Sequence, residues 1–345
     1  MGWVQRWVQR ADGNSTAGDA VNYPQAAILG LVQGLTEFLP VSSSAHLRIT
    51  AVAAGWDDPG AAFTAVTQIG TEAAVLLYFR QDIARILQAS ARSIREREMR
   101  GDPDARIGWL VLLGTIPIGV CGLTLQDAIE GPFRDLRLTA TSLIAFGLVL
   151  GAADRCAAGG RGRHRLPKPR RTLTDLSVRD GVLFGFAQAA ALIPGVSRSG
   201  ATIGGGLLLG YTREAAARYS FLLAMPAVLA SGLFELRHLV GSGGADDGDD
   251  PASPASPAAA AGSSSGTASS VASSVAGDAE LSWGPTLLAT GVAFTTGYAA
   301  IAWFLRYVSS RSFAPFVGYR VGLGALLLSL LAAGVLDARA GAPQN

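Results

Sequence analysis

Residues 33–46, QGLTEFLPVSSSAH, and residues 193–202, IPGVSRSGAT, decide how this chain folds. Each lies inside an apolar stretch, residues 26–50 and 181–210, that is long enough to cross a bilayer. Each is also broken near its middle by a proline followed by polar residues. Two short half-helices meeting at a polar break fit a re-entrant hairpin better than one continuous span. Such backbone is tolerated at membrane depth when it is buried in protein or lines a wet cavity.

The rest of the chain sets those hairpins in a membrane. Of 345 residues, 49% are hydrophobic and 16% charged, against about 25% charged in an ordinary soluble protein. Six further segments have the length and apolarity of spans: residues 63–79, 107–125, 138–153, 217–240, 286–305 and 314–334. The expected fold is therefore an all-α polytopic membrane protein, with six transmembrane helices and two re-entrant helical hairpins. The net charge of +2 says little beside where the charges lie. Arginine-rich loops at 80–106 and 154–180 are expected on the cytoplasmic side. Residues 126–137 then lie outside. So does the Ala/Ser/Gly/Asp-rich segment 241–280, which has no basic residue and reads as a flexible linker.

With those loops inside, the first hairpin enters from outside and the second from the cytoplasm. GLVQGLTEFLPVSSS (30–44) can be laid over GFAQAAALIPGVSRS (185–199) with one gap, placing Gln33 on Gln188 and Pro40 near Pro194. Each hairpin is followed by three spans. The reading is an inverted-topology repeat, 23–153 and 181–334, with a site where the broken helices meet. A tail at 1–22, the basic loop 154–180 and a tail at 335–345 complete the chain. The N-terminal stretch has neither an uninterrupted apolar core nor a small-residue cleavage signal, so no signal peptide is expected. Cys121 and Cys156 are the only cysteines, and neither spacing nor setting suggests a disulfide or a metal site.

The two breaks carry complementary chemistry. Gln33 and Glu37 are four apart, so a helix puts both on one face. A carboxylate in a membrane costs roughly 2.5–3.5 kcal/mol on insertion scales, which makes Glu37 a functional candidate. Pro40 stops the first half-helix, and Ser42, Ser43 or Ser44 can cap the next. Ser43 and His46 share a face if the second arm starts there. At the other break, Arg198 offers a fork of donors matched to phosphate oxygens. Ser197, Ser199 and Thr202 add hydroxyls, and each new half-helix presents free amides and a positive dipole end. Together they describe an anion site, most plausibly for phosphate. Gly204 to Gly210 reads as helix-packing glycine. Gln68 and Glu72 share a helix face and line the cavity or, for Glu72, pair with Arg320. Arg320 itself reads equally as an ion-pair partner and as a phosphate contact. Glu235, Arg237 and His238, and Trp109, Trp283 and Trp303, sit near span ends and suit interfacial anchoring.

These motifs resemble those of the bacterial undecaprenyl-diphosphate phosphatases of the bacitracin-resistance type. That family shows Glu/Gln-x-x-x-Glu leading into F-L-P-[VI]-S-S-x-x-H, matched by Gln33 through His46, and P-G-x-S-R-S-G-A-T, matched by Pro194 through Thr202. FTAVTQIGTEAAVLLYF, YSFLLAMPAV and SFAPFVGYR extend the similarity over nearly the whole chain outside the tail, loops and linker. The resemblance implies hydrolysis of a polyprenyl diphosphate lipid to the monophosphate, recycling lipid carrier for wall synthesis and conferring bacitracin resistance. It implies a multi-pass protein of the bacterial plasma membrane, a site open to the outer face, and dependence on a divalent cation, Mg²⁺ or Ca²⁺. Carried onto this chain, Ser43, His46, Glu37 and Arg198 are catalytic. Ser42, Ser197, Ser199, Thr202 and Gln33 bind substrate, and Glu37 with Gln33 holds metal. Gln33 stands where the family often has glutamate, which removes one charge from a two-carboxylate metal site.

Either Ser43 or His46 serves as nucleophile in this reading. A transporter or flippase for a polyprenyl phosphate would want the same anion site, but would not need the hydroxyl, histidine and carboxylate beside the arginine. A phosphatidic-acid-type lipid phosphatase is disfavoured, because its second catalytic histidine is absent. The partners expected are membrane lipids and the lipid substrate, with no nucleic acid; glycine-rich spans permit a homodimer without requiring one.

Overall fold

The computed structural model describes residues 21–56, 60–125, 133, 135–158, 170–242 and 282–338, with the side chains of 60–62 and 229–242 left aside. Among these residues the protein is helical. Eleven α-helices follow in order: α1 Tyr23–Glu37, α2 Ser43–Ala54, α3 Gly60–Tyr78, α4 Arg80–Arg95, α5 Pro103–Thr124, α6 Leu136–Ala157, α7 Val178–Ala189, α8 Arg198–Leu208, α9 Arg213–Ser242, α10 Trp283–Val308 and α11 Ala314–Ala332. Four of them, α5, α6, α10 and α11, are long and apolar enough to cross a membrane. The chain is a polytopic membrane protein, all-helical over its described residues. The linker 241–280, the outer loop, most of the N-terminal tail and the side chains of Glu235, Arg237 and His238 lie largely or wholly outside the described residues.

Local chemistry sets the helix limits. Asn22 and Gln25 form a capping box at the start of α1, and Asp102 and Asp135 cap α5 and α6. α1 stops at Glu37 because Pro40, three residues on, cannot continue a helix. The chain then passes through Ser42 at φ 76° and starts α2 at Ser43. The second break runs the same way: α7, one short 3₁₀ turn (Ala190–Leu192), Pro194, Gly195 at φ 89°, Ser197 at φ 69°, then α8. Ser42 and Ser197 are the only non-glycine residues with positive φ among those described. The four half-helices have 15, 12, 12 and 11 residues. At 1.5 Å per residue none reaches the roughly 30 Å of a hydrocarbon core.

Packing repeats in pairs. α1 lies along α10, where a Cβ on Gly30 would stand 2.4 Å from the Ala289 carbonyl oxygen. In the second half α7 lies along α5, where a Cβ on Gly185 would stand 2.6 Å from the Gly114 carbonyl oxygen. α10 also packs on α3, as α5 does on α9, while α3 meets α9 and α6 meets α11. Phe38, Phe79, Phe184, Tyr219, Phe221 and Phe304 fill the core between the halves, several in edge-to-face contact.

The segment 80–106, expected as a loop, contains α4 and a 3₁₀ turn (Arg97–Gly101). Ile86, Ala89 and Ser93 recur there at helical spacing and are buried, and Arg85 joins Asp82 and Asp104. Cys121 and Cys156 are both free. Trp109 donates to Ser93 Oγ at 3.0 Å, giving it a bonding partner besides its exposed position.

At the start of α7, Asp180 gathers donors from Arg171, Ser177 and Tyr211. Burial works against its charge, but these hydrogen bonds outweigh burial and hold its pKa at about 2. A depressed carboxylate stabilises the fold above its unfolded pKa of about 4 and loses that contribution as pH falls through about 2. Asp180→Asn is therefore expected to cost about 1–3 kcal/mol at neutral pH. Thermal unfolding of wild type and variant in detergent checks this, and their difference should shrink towards pH 2.

Candidate active site

The site lies where the two breaks face one another. Ser43 is the first residue of α2, and its Oγ donates to Glu37 Oε2 at 2.7 Å. Gln33 Nε2, one turn earlier on α1, donates to the same oxygen at 3.0 Å. Arg198 is the first residue of α8, and its Nη2 donates to Glu37 Oε1 at 2.6 Å and lies 3.4 Å from Glu72 Oε1 on α3. The arginine thus bridges carboxylates from two elements, while its own side chain is 15% exposed. In the aligned breaks Ser42 corresponds to Ser197 and Ser43 to Arg198. The hydroxyl of Ser43 and the cation of Arg198 hold the same place in the two aligned breaks, each just after a strained serine.

Glu72 is fully buried, and its Oε2 has no hydrogen-bond partner among the described residues. Two carboxylates against one guanidinium leave the site one negative charge in excess when all are ionised. A buried unpartnered carboxylate oxygen is costly and calls for a cationic or donor ligand. The Gln68–Glu72 spacing gave two readings, cavity lining or a pair of Glu72 with Arg320, and that pair is not the one formed. Glu72 meets Arg198, because α8 presents its N-terminus between α1 and α3.

Arg320 is 0% exposed and forms no ion pair with a carboxylate among the described residues. Its guanidinium donates to the carbonyls of Leu143, Pro40, Gly195 and Val196 at 2.8–3.2 Å. Pro40 belongs to one break, Gly195 and Val196 to the other. The arginine is the tie that holds both turns together, satisfying the Pro40, Gly195 and Val196 carbonyls that no helix can. Neither of the sequence-based roles, ion pair or phosphate contact, describes this geometry. Arg320→Met is expected to destabilise by about 3 kcal/mol or more, since it strands the buried carbonyls of Pro40, Gly195 and Val196. A fall in unfolding temperature of the purified protein checks it.

The remaining expected residues divide. Ser199 Oγ donates to the Leu39 carbonyl at 3.0 Å, crossing from one break to the other. Ser197 Oγ accepts from the Gly200 amide at 3.2 Å and caps α8. Thr202 donates to the Arg198 carbonyl and meets Ser220, so its hydroxyl supports α8 instead of pointing with the arginine. Ser42 sits at the N-cap of α2 with no side-chain cap bond; its Oγ meets Ser44 Oγ at 3.3 Å. Its carbonyl meets His46 Nδ1 at 2.7 Å, and His46 Nε2 lies 2.6 Å from the Tyr319 hydroxyl on α11. His46 shares the face of Ser43, but its bonds run to Ser42 and Tyr319. Tyr319 was not anticipated from the sequence; only its place in SFAPFVGYR hinted at it.

A membrane-embedded fold with a hydroxyl, a carboxylate and a forked cation converging at two helix N-termini defines a protein that handles a phosphate group inside the bilayer. Residues 26–326 match the family described as Bacitracin resistance protein BacA, and the chain belongs to that family. It is 68% identical over 324 residues to Undecaprenyl-diphosphatase 3 of Frankia alni, covering 93% of this chain and 99% of that protein. Identity to Undecaprenyl-diphosphatase 2 of Streptomyces avermitilis is 58% over 318 residues, 92% of this chain and 97% of the relative. The Thermobifida fusca Undecaprenyl-diphosphatase is 50% identical over 318 residues, 92% and 93% of the two chains.

Proposed function

We propose that this protein is an integral membrane phosphatase that hydrolyses undecaprenyl diphosphate to the monophosphate and inorganic phosphate, recycling lipid carrier for wall synthesis. The observation that carries the reading is the Ser43–Glu37–Arg198 arrangement, with Ser43 Oγ 2.7 Å from Glu37 Oε2 and Arg198 2.6 Å from Glu37 Oε1. Arg198 turns its fork onto the diphosphate, exchanging carboxylate for phosphate oxygens. Ser43 Oγ attacks the terminal phosphorus as its proton passes to Glu37. The lipid monophosphate leaves, and water releases phosphate from the serine. Free amides in the first turns of α2 and α8 stabilise the developing charge. His46, bonded to Tyr319, orients the start of α2 in this scheme.

Hard oxygen donors suit Mg²⁺ or Ca²⁺ here. Glu37, the amide oxygen of Gln33 and Glu72 would hold the ion, and the unpartnered Glu72 Oε2 fits that role. Such an ion, when bound, neutralises phosphate charge.

In the same reading, six spans and two re-entrant hairpins form an inverted repeat in the bacterial plasma membrane, with the site open outward. The matched helix pairs, α1 on α10 with α7 on α5 and α3 on α10 with α9 on α5, support that repeat. Phosphate release by detergent-purified protein, with and without chelator, tests the function. A flippase acting through the same site would release none.

A further inference from the structure

The two halves differ at one point of their packing. In the second half α8 closes on α6: a Cβ on Gly204 would stand 3.9 Å from the Leu150 Cα, and Ile203, Leu207 and Leu150 are buried. The residue aligned with Gly204 in the first half is Ile49. Its branched side chain stands where the glycine would be, and α2 and α11 approach through side chains such as Ile49 and Leu323. What remains between them is a cavity of about 350 Å³ with an entirely apolar lining that includes Ile49, Val52, Ala53, Leu323, Leu326 and Leu330.

This cavity lies in register with the site along two helices. On α2, His46, Ile49 and Ala53 follow at spacings of three and four, so they share one face. On α11, Tyr319, Leu323, Leu326 and Leu330 do the same. The bonded pair His46–Tyr319 stands at the inner end of both stripes. Ile49 lies six residues beyond Ser43, about 9 Å along the helix. A phosphate at Ser43 would therefore have an apolar channel beginning about two turns away, on the half that carries the nucleophile.

We propose that the groove between α2 and α11 seats the isoprenoid chain of the substrate, with the His46–Tyr319 pair marking the boundary between headgroup and chain. The proposal rests on the phosphatase reading for the identity of the lipid. Its occupant is a long, branched, uncharged hydrocarbon joined to a diphosphate. A cavity lined by apolar residues gives such a chain little to desolvate, and the site in register with it takes its charge.

Two measurements on the full-length protein test it. First, Ala53→Trp and Leu326→Trp fill the groove without touching the phosphate site. Each is expected to raise KM for undecaprenyl diphosphate about tenfold while kcat stays within about threefold of wild type. An unchanged KM, or a fall in kcat alone, overturns the proposal. Second, wild-type protein in phosphatidylglycerol nanodiscs is irradiated with a farnesyl diphosphate bearing a diazirine on its chain. Label is expected on α2 and α11 residues of the groove, and excess unlabelled undecaprenyl diphosphate should abolish it. Label elsewhere, or label displaced by added phosphatidylglycerol and not by undecaprenyl diphosphate, overturns the proposal. Crosslinking needs no turnover. Wild-type protein that labels in the groove but releases no phosphate would therefore sink the phosphatase reading and leave the groove assignment standing.

Discussion

Purified Ser43→Ala protein is expected to release phosphate from undecaprenyl diphosphate at least about 10³-fold more slowly than wild type, with substrate binding changed little. The size follows from what alanine removes. Ser43 Oγ is the hydroxyl bonded to Glu37 Oε2, so the variant loses both the attacking oxygen and the donor whose proton that carboxylate accepts. The helix start, its amides and Arg198 stay in place, because Ser43 makes no side-chain cap bond that alanine would break. A measured kcat within tenfold of wild type would transfer the attack to a water activated by Glu37. Acid quenching during turnover separates the two routes further: the serine route leaves labelled phosphate on the protein, at Ser43.

The sequence carried the element order of this site well. Proline followed by polar residues inside an apolar run is a local signal, and both breaks stand where it placed them. Gln33 and Glu37 meet because their spacing alone puts them on one turn. Partners across the fold were less legible. Arg198 bonds a residue 161 positions away, Arg320 reaches back 280 positions to Pro40, and His46 reaches forward 273 to Tyr319. Helical periodicity fixes which face a residue occupies and says nothing of which helix lies opposite. That is why a pair of Glu72 with Arg320 could be read where Glu72 meets Arg198, and why the spacing that puts Thr202 on α8 says nothing of Ser220 facing its hydroxyl. The helix inside the charged connection 80–106 was illegible for another reason. Its charge density dominated the reading, while α4 is a helix whose apolar stripe, Ile86 and Ala89, is buried.

Arg198→Ala is expected to lower kcat/KM by about 10³-fold or more, the range found when a transition-state arginine is removed from phosphoryl-transfer sites. Two effects contribute, and they separate by variant. Arg198 holds the diphosphate, and it also neutralises Glu37 and Glu72, which face it at 2.6 and 3.4 Å. Without it, two buried carboxylates share a pocket with no cation among the described side chains, so stability falls as well as activity. Arg198→Lys keeps the charge and loses the fork. It is expected to recover most of the unfolding temperature while remaining at least about tenfold below wild type in kcat/KM. The double variant Arg198→Ala/Glu72→Gln removes one charge of each sign and should regain stability with no gain in turnover. If the lysine variant were fully active, the fork would have no part in transition-state binding, and the arginine's task would reduce to balancing Glu37 and Glu72.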